Sequence, residues 1–156
     1  MQNITIWSEA FKNGESIPVE YTCDGEDMSP ALSWNNIPPE TKSITLVMED
    51  PDAPSGIFVH WILFNIPSDV KKFSKGIADI EQFKDGSSHG TTSFGRFGYG
   101  GPCPPSGTHR YYFKIFALDT ILNLGPCASM MQVDIAMRGH ILTTGELMGL
   151  YRRRKQ

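Results

Sequence analysis

Two carboxylates, two prolines and a histidine lie close together near the middle of the chain. The segment Asp50–Pro54 reads D-P-D-A-P, and His60 follows it near the start of an apolar run. Prolines exclude helix and cannot donate to a β-ladder, so the segment predicts a stiff loop at the end of a sheet. A rigid acidic loop beside an imidazole is a typical way to hold a small polar ligand. The sequence therefore predicts a ligand pocket.

A second histidine opens the most apolar strand of the chain. His109 and Tyr111 follow a loop with glycines at 100 and 101 and prolines at 102, 104 and 105. Glycines let backbone N–H groups approach an anion closely, and an imidazolium donates charge-assisted hydrogen bonds. We expect Asp50, His60, His109 and Tyr111 to converge on one cavity covered by the 100–105 loop. Asp50 would either orient a histidine or meet an ammonium group on the ligand.

Other chemistries fit these residues less well. Aspartate and histidine sets also bind zinc or manganese, but no H-x-x-x-H, H-E-x-x-H or C-x-x-C spacing is present, so we expect no metal. Gly86–Gly90 matches the G-x-S-x-G elbow of hydrolases, yet it lacks the strand before the serine and the helix after it. A polar loop is the better interpretation. A hydrolase that uses His60 or His109 as acid or base, oriented by Asp50, is the alternative to a binding module.

The elements that must position these residues are mostly short strands. Apolar runs predict strands at 4–7, 31–34, 43–48, 58–66, 111–118 and 141–151, and the run at 111–118 is typical of a central strand covered on both faces. One helix is predicted over 130–138, with Ser129 as its N-cap and Gly139 at its end. We expect an antiparallel β-sandwich with one short C-terminal helix and long irregular loops. The large aromatic side chains of these runs should be buried, namely Trp7, Trp34, Trp61, Phe64 and Phe116.

Composition narrows the function classes. A length of 156 residues predicts a single domain over 1–156. A net charge of −3 argues against general nucleic-acid binding, and no apolar run reaches the 18 residues of a membrane span. Three cysteines without a C-x-x-C pair favour a reducing compartment, so we expect a cytoplasmic protein in which Cys23 and Cys103 are free thiols. We expect no cofactor.

Four segments resemble one known family. The chain is similar to the phosphatidylethanolamine-binding proteins, specifically their short bacterial and archaeal branch, called Raf-kinase-inhibitor-like proteins. Tyr21–Trp34 looks like the D-G-x-x-x-S-P-x-L-x-W signature of that branch, and Asp50–Asn65 is similar to the first family signature. Gly101–Tyr111 looks like the second signature, G-x-H-R-Y, and Arg138–Tyr151 resembles the closing helix and strand. The resemblance runs nearly from end to end.

The resemblance implies a Greek-key β-sandwich with a small anion pocket. By motif match the pocket residues would be Asp50, Pro54, His60, His109 and Tyr111, with Gly101 and Pro102 closing one side. Asp52 and Cys103 would lie close behind them. The implied ligands are phosphate, carboxylate or phosphoethanolamine-like anions. A protein partner, such as a kinase or a protease to be regulated, is implied without being identified, and the chain would be a monomer or a homodimer.

Overall fold

Two antiparallel sheets pack face to face in the computed structural model, which describes residues 3–154. This confirms the predicted antiparallel sandwich with one helix. The elements are β1 (Thr5–Trp7), a 3-10 turn (Val19–Tyr21), β2 (Leu32–Asn35), β3 (Ser43–Asp50), β4 (Phe58–Ile66), β5 (Lys72–Phe73), β6 (Ser88–His89), β7 (His109–Leu118), α1 (Met130–Met137) and β8 (Ile141–Tyr151).

The larger sheet places β3 in its middle. Its order is β6-β4-β3-β7-β8, whereas the smaller sheet has the order β1-β2-β5. All of the first six residues of β3 are buried, as expected for a strand covered on both faces. The prediction that 111–118 is covered on both faces is wrong. The inward residues of β7 are buried, but Arg110 on its outer face is exposed, and Tyr112 and Lys114 are half-buried.

The larger sheet contributes to two apolar cores. One face packs against the smaller sheet, and the other is covered by α1 and the chain that precedes it. Alternation along β3 sends Leu46 and Met48 into the core between the sheets and Val47 into the core under the helix. The helix itself begins with a capping box between Ser129 and Gln132. The helix therefore covers the outer face of β3 and β4. The candidate site lies where β3 ends and β4 begins.

Three of the five aromatic side chains that we expected to be buried are so. Trp34, Trp61 and Phe64 are buried, Phe116 is half-buried and Trp7 is 41% exposed. The prediction for Trp7 is wrong because β1 alternates, with Ile6 pointing inward and its two neighbours pointing outward.

Cys23 and Cys103 form a disulfide bond, which contradicts the prediction of free thiols. The bond joins two loops that are 80 residues apart in the sequence. It also removes the cysteine argument for a reducing compartment, so a cytoplasmic location stays a prediction without that support. Within residues 3–154, no helix is long and apolar enough to cross a membrane.

We predict that the disulfide stabilises the folded chain substantially. Because it closes a loop of about 80 residues in the unfolded chain, the double variant Cys23→Ser, Cys103→Ser should lower the free energy of unfolding by about 2–5 kcal/mol. Urea denaturation measures this change. Cys127→Ser is the matched control, because Cys127 forms no disulfide and its loss should change stability little. A wild-type protein that is equally stable with and without a reducing agent would contradict the prediction.

Candidate functional site

The predicted site residues lie at one edge of the larger sheet. Because neighbouring strands are antiparallel, the end of β3 lies beside the start of β4 and the start of β7. Asp50 closes β3 opposite Phe58, and Glu49 lies opposite Tyr112. A cavity of about 230 Å³ opens at this edge. The sheet therefore brings together residues that are far apart in the chain.

Asp50 and His109 form a buried pair. The Nδ1 of His109 donates to Oδ2 of Asp50 at 2.6 Å, and both residues are less than a tenth exposed. The other Asp50 oxygen accepts the backbone N–H of Asp52 at 2.7 Å. Both carboxylate oxygens are thus occupied by protein donors. This arrangement fixes the His109 ring with Nδ1 toward Asp50 and leaves Nε2 without a protein partner.

His60 reaches the cavity through a β-bulge. Val59 pairs with Glu49 and Trp61 pairs with Met48, so His60 is an extra residue without a partner on β3. Bulges re-aim side chains next to functional sites. Here the His60 Nδ1 donates to the carbonyl oxygen of Gly100 at 2.7 Å, which leaves Nε2 as the nitrogen without a hydrogen-bond partner.

The charge that we expected on His60 does not fit its surroundings. Its ring is 4% exposed and contacts Phe58, Phe94 and Tyr111, with ring centroids 5.0 to 5.3 Å away. Burial lowers the pKa of His60 below its usual value of 6.5, despite the opposing effect of its hydrogen bond to Gly100. Burial therefore opposes a positive charge on His60.

The hydroxyl group of Tyr111 is buried without a hydrogen-bond partner. The side chain is fully buried, and among residues 3–154 no group lies in hydrogen-bonding geometry to its oxygen, although the Asp50 carboxylate is close enough to affect it. Burial, followed by the charge of Asp50, raises the pKa of Tyr111 well above its usual value, so the group stays a protonated hydroxyl. A buried polar group without a partner is costly to the fold. The Tyr111 side chain lies on the cavity wall.

The cavity wall contains five of the seven residues that we proposed as ligand-binding. Pro54 lies on it with the four polar residues, whereas Gly101 and Pro102 do not line it. The complete lining is Asp50, Ala53, Pro54, Ser55, Phe58, His60, Phe94, Cys103, Pro104, Pro105, His109 and Tyr111.

Gly101 and Pro102 hold the loop from behind the cavity. The Gly101 N–H donates to Asp27 Oδ1 at 2.8 Å, and the Pro102 carbonyl oxygen accepts from the Cys23 N–H at 3.1 Å. A Cβ atom at position 101 would lie 2.3 Å from the carbonyl oxygen of Tyr21, so only glycine fits there. Gly101 and Pro102 therefore support the loop. The family resemblance did not distinguish residues that support the loop from residues that contact a ligand.

Asp52 and Cys103 differ in their relation to the cavity. The Asp52 carboxylate points to β7, where it accepts from the backbone N–H and the guanidinium of Arg110, and these bonds lower its pKa to about 2. Asp52 therefore ties the 51–57 loop to β7 and does not line the cavity. Cys103 does line the cavity, and its disulfide with Cys23 holds the covering loop in place.

The sequence interpretation missed the aromatic part of the wall. Phe94 is 40% exposed at the cavity, and its ring packs against Phe58 at 4.8 Å between centroids. Phe94 lies in the long irregular segment between β6 and β7. The sequence signal that could have indicated Phe94 is an aromatic residue in a glycine-rich loop. Such a side chain is not buried as part of a strand, so it is available to line a cavity.

A larger groove lies elsewhere on the molecule. It measures about 380 Å³ and runs along the end of β2 near Trp34 and Pro38. Its charged lining residues, Asp69 and Lys71, are exposed, and no histidine lies on it. We therefore assign the candidate site to the smaller cavity, which combines buried titratable groups with an unpartnered hydroxyl.

Comparison with known protein families agrees with the motifs. The family model described as phosphatidylethanolamine-binding protein matches residues 7–152. A UPF0098 protein of Methanothermobacter thermautotrophicus is 50% identical over 150 residues, which cover 96% of this chain and 99% of the relative. A UPF0098 protein of Aquifex aeolicus is 47% identical, over 95% of this chain and 88% of the relative. The name UPF0098 states no activity.

Two solved structures share the fold. A phosphatidylethanolamine-binding protein homologue from Chlamydia trachomatis has a TM-score of 0.89 and 39% sequence identity, and covers 98% of this chain and 99% of its own. YbcL of E. coli, described as a member of the mammalian PEBP family, has a TM-score of 0.88 at 30% identity, with 98% and 100% covered.

We predict that Tyr111→Phe separates stability from binding. Removing a buried hydroxyl without a partner should leave the free energy of unfolding unchanged or raise it by about 1 kcal/mol. The same change should weaken the binding of phosphate, because a donor to the ligand is lost. Urea denaturation and titration calorimetry measure the two effects.

Tyr151→Phe is the matched control for this prediction. The Tyr151 hydroxyl donates to Asp24 Oδ2 at 2.7 Å, and neither residue lines the cavity, so its loss should lower stability and leave phosphate binding unchanged. A stability loss in Tyr111→Phe as large as that in Tyr151→Phe would show that the Tyr111 hydroxyl serves the fold.

Proposed function

The chain belongs to the phosphatidylethanolamine-binding protein family, and on that premise we propose that it is a binding module for small oxyanions. One observation carries the proposal. The Nε2 atoms of His60 and His109 and the hydroxyl of Tyr111 belong to residues that line one cavity, and no protein group within residues 3–154 hydrogen-bonds to any of the three. A small oxyanion can hydrogen-bond to several such atoms at once.

The cavity suits the polar head of a small ligand more than a large molecule. About 230 Å³ is enough for a phosphate or carboxylate group with a short substituent. Apolar side chains complete the wall on the solvent side, with Phe58, Phe94, Pro104 and Pro105 as the main contributors. They exclude water around the polar atoms, which strengthens hydrogen bonds to a bound anion.

A hydrolase is the second candidate function, because an aspartate that orients a histidine also occurs in hydrolase sites. Covalent catalysis needs a nucleophile within hydrogen-bond reach of that histidine. Among residues 3–154, no hydroxyl hydrogen-bonds to His109, and the thiol of Cys103 is consumed by the disulfide. A binding role is therefore the simpler proposal, and turnover of p-nitrophenyl phosphate that is abolished by His109→Ala would support the hydrolase instead.

The direct test of anion binding is a titration with inorganic phosphate followed by NMR. We expect saturable shifts in the residues that line the cavity. His109→Gln should weaken the affinity about ten- to hundredfold, since a charge-assisted hydrogen bond is worth about 1.5–3 kcal/mol. His140→Gln is a control, because His140 is exposed and paired with Asp119 away from the cavity. Equal loss in both variants, or no saturation, would refute the proposal.

We predict that the module does not recognise the ammonium group of phosphoethanolamine through Asp50. Both Asp50 oxygens already accept hydrogen bonds from protein donors, and the residue is only 2% exposed. Phosphoethanolamine and glycerol phosphate should therefore bind within about twofold of each other. Titration calorimetry with both ligands measures the ratio of their affinities.

The variant Asp50→Asn tests directly whether Asp50 contacts the ammonium group of phosphoethanolamine. The ratio of the two affinities should stay the same in the variant, even if both affinities change, because Asp50 contacts neither ammonium nor glycerol. A preference for phosphoethanolamine that disappears in Asp50→Asn would show that the carboxylate meets the ligand after all.

A further inference from the structure

The orientation of the His60 ring determines what kind of hydrogen bond it offers to a ligand. Its Nδ1 carries a proton, because that atom bonds to a carbonyl oxygen, Gly100 O, at 2.7 Å. The Gly100 N–H in turn donates to the His60 carbonyl oxygen at 3.0 Å. The two residues are thus joined by two hydrogen bonds. In a neutral ring with this tautomer, Nε2 carries a lone pair and accepts hydrogen bonds.

The surroundings of His60 keep the ring neutral. Burial lowers its pKa, while Asp50 and Asp27 act weakly in the opposite direction. The other titratable groups on the cavity wall are His109, which is bonded to Asp50, and Tyr111, which stays protonated. No lysine or arginine is among the residues that line the cavity. The cavity therefore combines a hydrogen-bond acceptor, His60 Nε2, with a hydrogen-bond donor, the Tyr111 hydroxyl.

We propose that this cavity selects oxyanions that carry a proton, such as the monoanion of a phosphate monoester, over oxyanions that carry none, such as a sulfate ester. The inference rests on the proposed oxyanion binding and specifies its ligand class. The hydroxyl group of the phosphate monoanion donates to His60 Nε2, while another of its oxygens accepts from the Tyr111 hydroxyl. A sulfate ester leaves His60 Nε2 facing an oxygen lone pair, which is repulsive.

Methyl phosphate and methyl sulfate form a matched pair of probes for this proposal. The two have nearly the same shape, and the monoanion of methyl phosphate has the same charge as methyl sulfate. The second pKa of a phosphate monoester is about 6, so about a quarter of it is the monoanion at pH 6.5 and well under 1% at pH 8.5. Methyl sulfate has no proton at either pH. Both ligands meet the same cavity groups, so the ratio of the two affinities reports on the ligand proton.

We expect methyl phosphate to bind about tenfold or more tightly than methyl sulfate at pH 6.5. The ratio should fall toward one at pH 8.5, where the phosphate has lost its proton. Titration calorimetry of the full-length protein measures both affinities. A ratio near one at pH 6.5, or a ratio that is unchanged at pH 8.5, would overturn the proposal while leaving oxyanion binding intact. Failure of both probes to bind at either pH would refute the proposed function as well.

The variant His60→Gln tests whether His60 is the selecting residue. A glutamine side chain offers both a donor and an acceptor, so the preference for methyl phosphate at pH 6.5 should shrink to within about threefold. His89→Gln is the matched control. His89 is also buried, but its two nitrogens bond to Ile80 and Trp61 and it does not line the cavity. A preference that survives in His60→Gln, or that is lost equally in His89→Gln, would contradict the assignment to His60.

Discussion

The hydrogen bond between Asp50 and His109 is the interaction on which the site depends. A buried carboxylate is costly unless its oxygens are satisfied, and Asp50 meets that requirement with one bond to an imidazole and one to the next loop. The first bond orients His109 toward the cavity. The second starts the turn that carries Pro54 onto the cavity wall. A single buried group therefore positions both a polar contact and part of the apolar wall.

The rest of the site is assembled by contacts that hold the covering loop against the sheet. Gly100 is joined to His60 by two hydrogen bonds, Gly101 is bonded to Asp27, and Cys103 is bonded covalently to Cys23. These contacts come from two different parts of the chain, the strand β4 and the segment 23–27. The loop is therefore held in its covering position before any ligand arrives, which reduces the entropy lost on binding. A preformed cavity with unpartnered polar atoms is the structural basis for a binding role.

The sequence predicted the strands better than it predicted the environment of the site. Long apolar runs located β4 and β8, and motif resemblance identified the residues at the cavity. The lowered pKa of His60 was not predictable, because it depends on a bulge in β4 and on packing by Phe94 from a distant loop. The disulfide was missed for a similar reason. Cysteine count and spacing carry no information about which loops the tertiary fold brings together.

The protonation of the two cavity histidines tests most directly whether their Nε2 atoms bind an oxyanion. NMR of the 15N-labelled imidazole rings distinguishes nitrogens with and without a proton. The account predicts that His60 carries its proton on Nδ1 and none on Nε2 between pH 6.5 and 8.5, and that the Nε2 signals of His60 and His109 both shift when inorganic phosphate is added. A His60 ring protonated on both nitrogens at pH 7, or phosphate binding that leaves both Nε2 signals unmoved, would contradict it.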